Sequence, residues 1–92
     1  MEVTTYTLKF SPQAQKDIAY FKKVGDASIC KKITKLLGEL EEHPTTGTGK
    51  VEALRFELTG YWSRRINSEH RIVYRIDDEA QDVYILSMKG HY

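Results

Sequence analysis

Two periodicities divide this chain, and the border between them falls near Pro44. Before it, apolar side chains recur every three or four residues, the spacing of one helical face. Ser11-Pro12 supplies an N-cap followed by a proline at the first helical position, where a missing N–H costs nothing. Ala14, Ile18 and Phe21 then share a face, and Gly25 ends the helix after Val24. Asp26 is placed to cap a second helix, whose apolar stripe is Ile29, Ile33, Leu36, Leu37 and Leu40 and which stops at His43-Pro44. The pattern therefore predicts two antiparallel helices joined by a tight Gly25-Asp26 turn.

After Pro44 the period falls to two. Thr45 to Gly49 reads as a turn-rich loop, and Tyr61–Ile66, Arg71–Ile76 and Val83–Met88 read as strands. The last is apolar on both faces, which suits a central position in a sheet. Val3–Phe10 reads as a first strand. These elements predict an α+β domain over residues 1–92, with two N-terminal antiparallel helices packed on a mostly antiparallel, twisted β-sheet.

The alternation also fixes a register. Trp62 and Ile66 on one strand must face the core together with Ile72, Tyr74 and Ile76 on the next, because a one-residue slip sends every side chain to the wrong face. Ile66 then opposes His70, which leaves Asn67-Ser68-Glu69 as the loop. Arg64 falls on the core side, and Arg65 stands directly across from Arg71 on the other face. Like charges facing each other across a ladder destabilise it, so something anionic should lie between them. Phosphate is the natural candidate, because its oxygens match the guanidinium fork.

Composition changes this picture little. Among 92 residues, 40% hydrophobic and 29% charged, the net charge is +1, which is ordinary for a globular protein and does not announce a nucleic-acid partner. Distribution is more telling. Between Lys50 and Arg75 there are six basic residues (Lys50, Arg55, Arg64, Arg65, Arg71, Arg75) and three acidic ones (Glu52, Glu57, Glu69). Tyr61, Trp62 and Tyr74 are interleaved with them, either as core aromatics or as surfaces on which bases stack. The lone Cys30 forms no internal disulfide and reads as a small half-buried helical side chain. The N-terminal residues lack the basic start and apolar run of a signal peptide, and no stretch is apolar enough to span a membrane. A cytoplasmic location is the default expectation. The loop Gly47-Thr48-Gly49-Lys50 lacks the spacing and the following helix of a phosphate-binding loop.

Three runs carry a specific likeness. Gly49-Lys50-Val51-Glu52-Ala53-Leu54, then Leu58-Thr59-Gly60-Tyr61-Trp62-Ser63-Arg64-Arg65-Ile66, then Glu69-His70-Arg71-Ile72-Val73-Tyr74, together with a terminal His91-Tyr92, resemble the YoeB (Txe) branch of the RelE/ParE toxin superfamily. That branch carries G-K-P-E-P-L, L-S-G-[FY]-W-S-R-R-I and E-H-R-L-V-Y segments and ends in H-Y. The resemblance covers essentially the whole chain. It implies a RelE-like microbial ribonuclease fold and the toxin of a type II toxin–antitoxin module. The implied activity is a ribosome-dependent endoribonuclease that cuts mRNA and so stops translation.

Carried over residue by residue, the resemblance makes Glu52 the general base and His91 the general acid. Arg71 and Arg65 would stabilise the phosphate, Tyr92 would orient the substrate, and Lys50 and Arg55 would help hold it. One base and one acid on opposite sides of phosphorus require no metal or other cofactor. The implied partners are a YefM-like antitoxin, the 70S ribosome, mRNA and a second copy of the toxin.

Taken singly, Glu52 reads as a surface carboxylate beside a basic residue, Arg71 as half of a surface ion pair, and His91 as a frayed terminal residue. His70 reads as a structural histidine and His43 as a neighbour of a helix end. Val51 and Ala53 replace the family's prolines, which loosens the loop around Glu52. Arg55 stands where lysine is common, and Gly90 loosens the approach to His91. The alternatives are a ParE-like toxin that binds gyrase, which lacks the Glu52–Arg71–His91 set, and a non-catalytic member that binds antitoxin or operator DNA.

Overall fold

A computed structural model describes residues 5–90. The helical half follows the caps. Helix α1 (Pro12–Val24) starts at Ser11, whose hydroxyl accepts the Ala14 N–H at 3.0 Å, and ends at Gly25 with φ +68°, the left-handed geometry that glycine adopts without strain. Helix α2 (Ala27–Glu42) is capped by Asp26, which accepts the Ile29 N–H at 3.0 Å. Both helices lie on one face of the sheet. Their inner residues Ala14, Phe21, Ile33, Leu36 and Leu40 share a core with Ile72, Tyr74, Val83 and Ile85.

The sheet has five strands in the order β1-β5-β4-β3-β2. They are β1 (Thr7–Phe10), β2 (Glu52–Ala53), β3 (Tyr61–Arg65), β4 (Arg71–Asp77) and β5 (Asp82–Ser87). Pairing is antiparallel except for β1, which runs parallel to β5. The doubly apolar β5 is indeed internal. Strand β1 starts at Thr7, with Thr5 and Tyr6 outside it, and the expected residues Val3 and Thr4 lie outside the described segment.

The hairpin register expected from the alternation is the one found. Trp62 pairs with Tyr74, Arg64 with Ile72 and Arg65 with Arg71, and the Ile66 N–H donates to the His70 carbonyl at 2.9 Å to close the 67–69 loop.

Strand β2 was not expected. The segment holding Glu52 is no free loop: the Leu54 N–H donates to the Tyr61 carbonyl at 2.9 Å, and the Arg65 N–H donates to the Gly49 carbonyl. Gly49, at φ +96°, lies so close to β3 that a Cβ would sit 2.6 Å from the Arg65 carbonyl oxygen. Pairing with β3 therefore fixes this edge despite the Val51 and Ala53 expected to loosen it.

Arg64 is fully buried beneath α2 and the 43–49 loop. Its Nη2 donates to the carbonyls of His43 (2.8 Å) and Thr46 (2.7 Å), and Nη1 lies 3.6 Å from Glu39 Oε1. The Thr48 amide bonded to Glu39 holds that carboxyl below the usual carboxylate range, helped by the charge of Arg64. Tyr74, also fully buried, donates its hydroxyl to the Pro44 carbonyl at 2.6 Å, and burial pushes that phenol upward. No helix among the described residues is long and apolar enough to cross a membrane.

Candidate functional site

With both helices on one face, the other face of the sheet is left to the odd-numbered residues of β3 and β4. Two rows of side chains cross it. Glu52 pairs with Ser63, Ser63 with Val73 and Val73 with Ser87, one residue from each of four adjacent strands. Ser63 and Val73 form a buried floor. One row toward the hairpin loop stand Arg65 and Arg71.

The carboxylate of Glu52 reaches from the first row to the second, where its Oε1 accepts from Arg71 Nη1 at 2.8 Å. The arginine side chain is 14% exposed and the glutamate side chain 52% exposed. Arg71 is thus held against the sheet while Glu52 keeps acceptor surface open to a ligand. The negative charge expected between the two arginines is provided here, at least for Arg71, by Glu52 itself. Among the described residues no carboxylate lies within ion-pairing distance of the half-buried Arg65 side chain.

Lys50, at φ +50°, and Arg55 are exposed on the segment that flanks β2, and Glu52, Arg55 and Phe56 line an open cleft there. The structure therefore brings Glu52, Arg65 and Arg71 together and sets Lys50 and Arg55 beside them. His91 and Tyr92 lie outside the described residues.

The route of the chain toward those two residues is described, and it is held at three points. Asp17 of α1, only 3% exposed, accepts the Met88 N–H at 2.8 Å and the Lys89 N–H at 3.2 Å. The Gly90 N–H donates to His70 Nδ1 at 2.9 Å. His70 also packs edge-on against Phe21, with centroids 5.0 Å apart, which bears out its structural reading. Because His70 immediately precedes Arg71, the bond to Gly90 carries the chain to the loop end of the β3–β4 hairpin, where Arg65 and Arg71 stand. The expected looseness at Gly90 is thus offset by a side chain. Asp17 escaped the sequence reading. Its only signal was a charged residue on the apolar side of α1.

Two helices behind a five-stranded, mostly antiparallel sheet is the RelE-like architecture of small bacterial toxins. A YoeB dimer from Staphylococcus aureus shares it with TM-score 0.82 at 44% identity, covering 95% of this chain and 98% of that one. A heterotetrameric YoeB–YefM complex from the same organism gives 0.81 at 45%, with the same coverage. A toxin YoeB of Mycobacterium bovis is 42% identical over 86 residues, 94% of this chain and 98% of that protein. The chain belongs to the family of YoeB-like toxins of bacterial type II toxin–antitoxin systems, whose family model matches residues 10–92.

Proposed function

We propose that the open sheet face is the active site of a ribosome-dependent endoribonuclease that cleaves mRNA. The observation that carries this reading is the contact of Glu52 with Arg71, opposite Arg65: a solvent-accessible base held beside two cations. Glu52 takes the proton from a ribose 2′-hydroxyl as that oxygen attacks the adjacent phosphorus. The bond from phosphorus to the 5′-oxygen breaks, His91 protonates the departing oxygen, and a 2′,3′-cyclic phosphate remains. Arg65 and Arg71 oppose the charge that accumulates on the phosphoryl oxygens. A preorganised donor of this kind contributes roughly 3–4 kcal/mol, and each proton-transfer group ~10²–10⁴-fold. Tyr92 orients the substrate, and Lys50 and Arg55 hold its backbone. Asp17 and His70 steady the chain leading to the acid.

The reading further assigns the protein a YefM-like antitoxin and a second copy of itself as partners, in line with the Staphylococcus aureus complex and dimer. A net charge of +1 leaves little non-specific attraction for RNA, so the ribosome must present the message and supply its alignment. Purified protein should therefore cut messages in translating ribosomes well and free RNA poorly. Equal rates on the two substrates at physiological salt would remove the ribosome from the proposal.

A further inference from the structure

On the same open face a third row crosses four strands, two residues from the Glu52 row along β3 and β4 and three along β5, where a bulge intervenes. Tyr61 pairs with Arg75, Arg75 with Tyr84 and Tyr84 with Lys9. Cations and phenol rings alternate along it. The guanidinium of Arg75 lies 4.1 Å above the Tyr84 ring, and Lys9 Nζ lies 5.5 Å from the same ring. Lys9 is neutralised by Asp82 at 3.0 Å. Arg75 differs: it is exposed, and among the described residues no carboxylate lies within ion-pairing distance of it. A hollow of about 240 Å³ opens between Tyr61, Arg75, Tyr84 and Leu86.

We propose that Tyr61, Arg75 and Tyr84 form a single-stranded RNA subsite that holds nucleotides flanking the cleaved bond. Three properties fit that ligand together. A guanidinium held 4.1 Å over a tyrosine ring can still offer a plane to a base and an edge to a phosphate. Tyr61 offers a second ring beside it, and stacking on such rings tolerates any base. The third is continuity. Four residues separate this row from the Arg65–Arg71 pair along β3 and along β4, about 13 Å at strand rise, the reach of a few nucleotides. Two tyrosines around a cation with no carboxylate partner among the described residues suit a nucleotide better than a carboxylate-rich peptide, which would need several such cations.

The subsite rests on the ribonuclease reading for its purpose, but its binding is testable separately. The probe is a short fluorescent single-stranded RNA with 2′-O-methyl riboses, which 2′-hydroxyl attack cannot cleave. It is titrated at low salt into full-length wild type, Arg75→Gln, Arg75→Lys and Glu52→Gln, each checked by melting curve. Arg75→Gln should weaken binding about tenfold and lower the dependence of log K on log salt by about one phosphate. Arg75→Lys should keep the salt slope but lose affinity, because an ammonium does not stack as a guanidinium does. Glu52→Gln should bind at least as tightly as wild type. Wild-type affinity and slope in Arg75→Gln, or no binding by wild type, overturn the subsite. So does an Arg75→Gln protein whose RNA affinity is intact while its self-association or its affinity for an acidic antitoxin peptide is lost, since the row is then a protein interface. Failure of wild type to cleave ribosome-bound message, measured in parallel, removes the chemistry without deciding the subsite.

Discussion

Arg64 and Arg65 are neighbours in sequence and opposites in the fold. Arg64 points into the helix-covered side, where two backbone carbonyls and Glu39 surround a guanidinium with no exposed surface. Arg65 points to the open side, across from Arg71, whose guanidinium is paired with Glu52. The same side chain does different work on the two faces. Beneath the helices, a cation that answers the carbonyls of the 43–46 segment ties that loop to the sheet. On the open face, Arg65 has no carboxylate within ion-pairing distance among the described residues, so its charge can meet an anionic ligand. One residue of strand alternation separates a structural arginine from one proposed to hold substrate.

The largest effect should come from breaking the covered side. Arg64→Ala leaves the His43 and Thr46 carbonyls without their donor and Glu39 without its cation, a loss of ~3–5 kcal/mol on the scale of broken buried ion pairs. In a domain of this size such a loss lowers the melting temperature by more than about 10 °C or prevents folding. Melting curves of Arg64→Ala and Arg65→Ala compare the faces directly. If Arg65→Ala is the unstable one, the assignment of faces is reversed.

Next is the open side. Arg71→Ala should slow single-turnover cleavage of ribosome-bound message by ~10²-fold or more, because its contact with the phosphate grows in the transition state. Stability should stay within about 1 kcal/mol, as for partly exposed sites in general. A variant that melts early and cleaves at the wild-type rate once folded would make Arg71 a purely structural partner of Glu52.

The Asp17 latch joins the two faces and should give an intermediate result. Asp17→Ala strands the buried Met88 N–H and the partly buried Lys89 N–H, at a cost of ~1–3 kcal/mol. Cleavage by the folded fraction should fall further than stability does, since a shift of ~1 Å in a reacting group costs up to about 10²-fold. Rate loss that simply tracks the unfolded fraction would reduce Asp17 to a core residue.

The smallest effect concerns pH. The folded-state carboxyl of Glu39 is lowered, so its contribution to stability is present above the ordinary carboxylate range and fades as pH falls through that range. The stability gap between wild type and Glu39→Gln should therefore narrow as denaturant melts are moved from neutral pH to about pH 3. A gap that widens on acidification would contradict the role of Thr48 and Arg64 in holding the charged form.

Much of this contrast is legible in the amino-acid sequence. The β3–β4 register follows from the alternation of Trp62, Ile66, Ile72 and Tyr74, because only one pairing buries them all, and that pairing sets Arg64 inward and Arg65 against Arg71. The helix ends were readable from Ser11, Gly25 and Asp26, whose signals are local. Strand β2 was not, since two residues cannot display an alternation and its pairing depends on backbone bonds from Gly49 and Leu54. Nor were the bonds from Asp17 and His70 to residues 88–90, which join positions about 70 and 20 apart in sequence and leave no periodic trace. The assignment of Glu52 as a base came with the family likeness. Its residue type alone fits a surface ion pair equally well, and the bond to Arg71 accommodates both readings.

The chemistry of the cut ends decides between them. Ribosomes carrying a defined message are mixed with the wild-type protein and, separately, with Glu52→Gln, and the new RNA termini are identified by end-specific labelling and mass spectrometry. Attack by a ribose 2′-hydroxyl at this face leaves a 2′,3′-cyclic phosphate, or the 3′-phosphate it opens to, on one fragment and a 5′-hydroxyl on the other, with little product from Glu52→Gln. Fragments ending in a 3′-hydroxyl and a 5′-phosphate, or cleavage by Glu52→Gln at the wild-type rate, would contradict the assignment of the open face as a ribonuclease site.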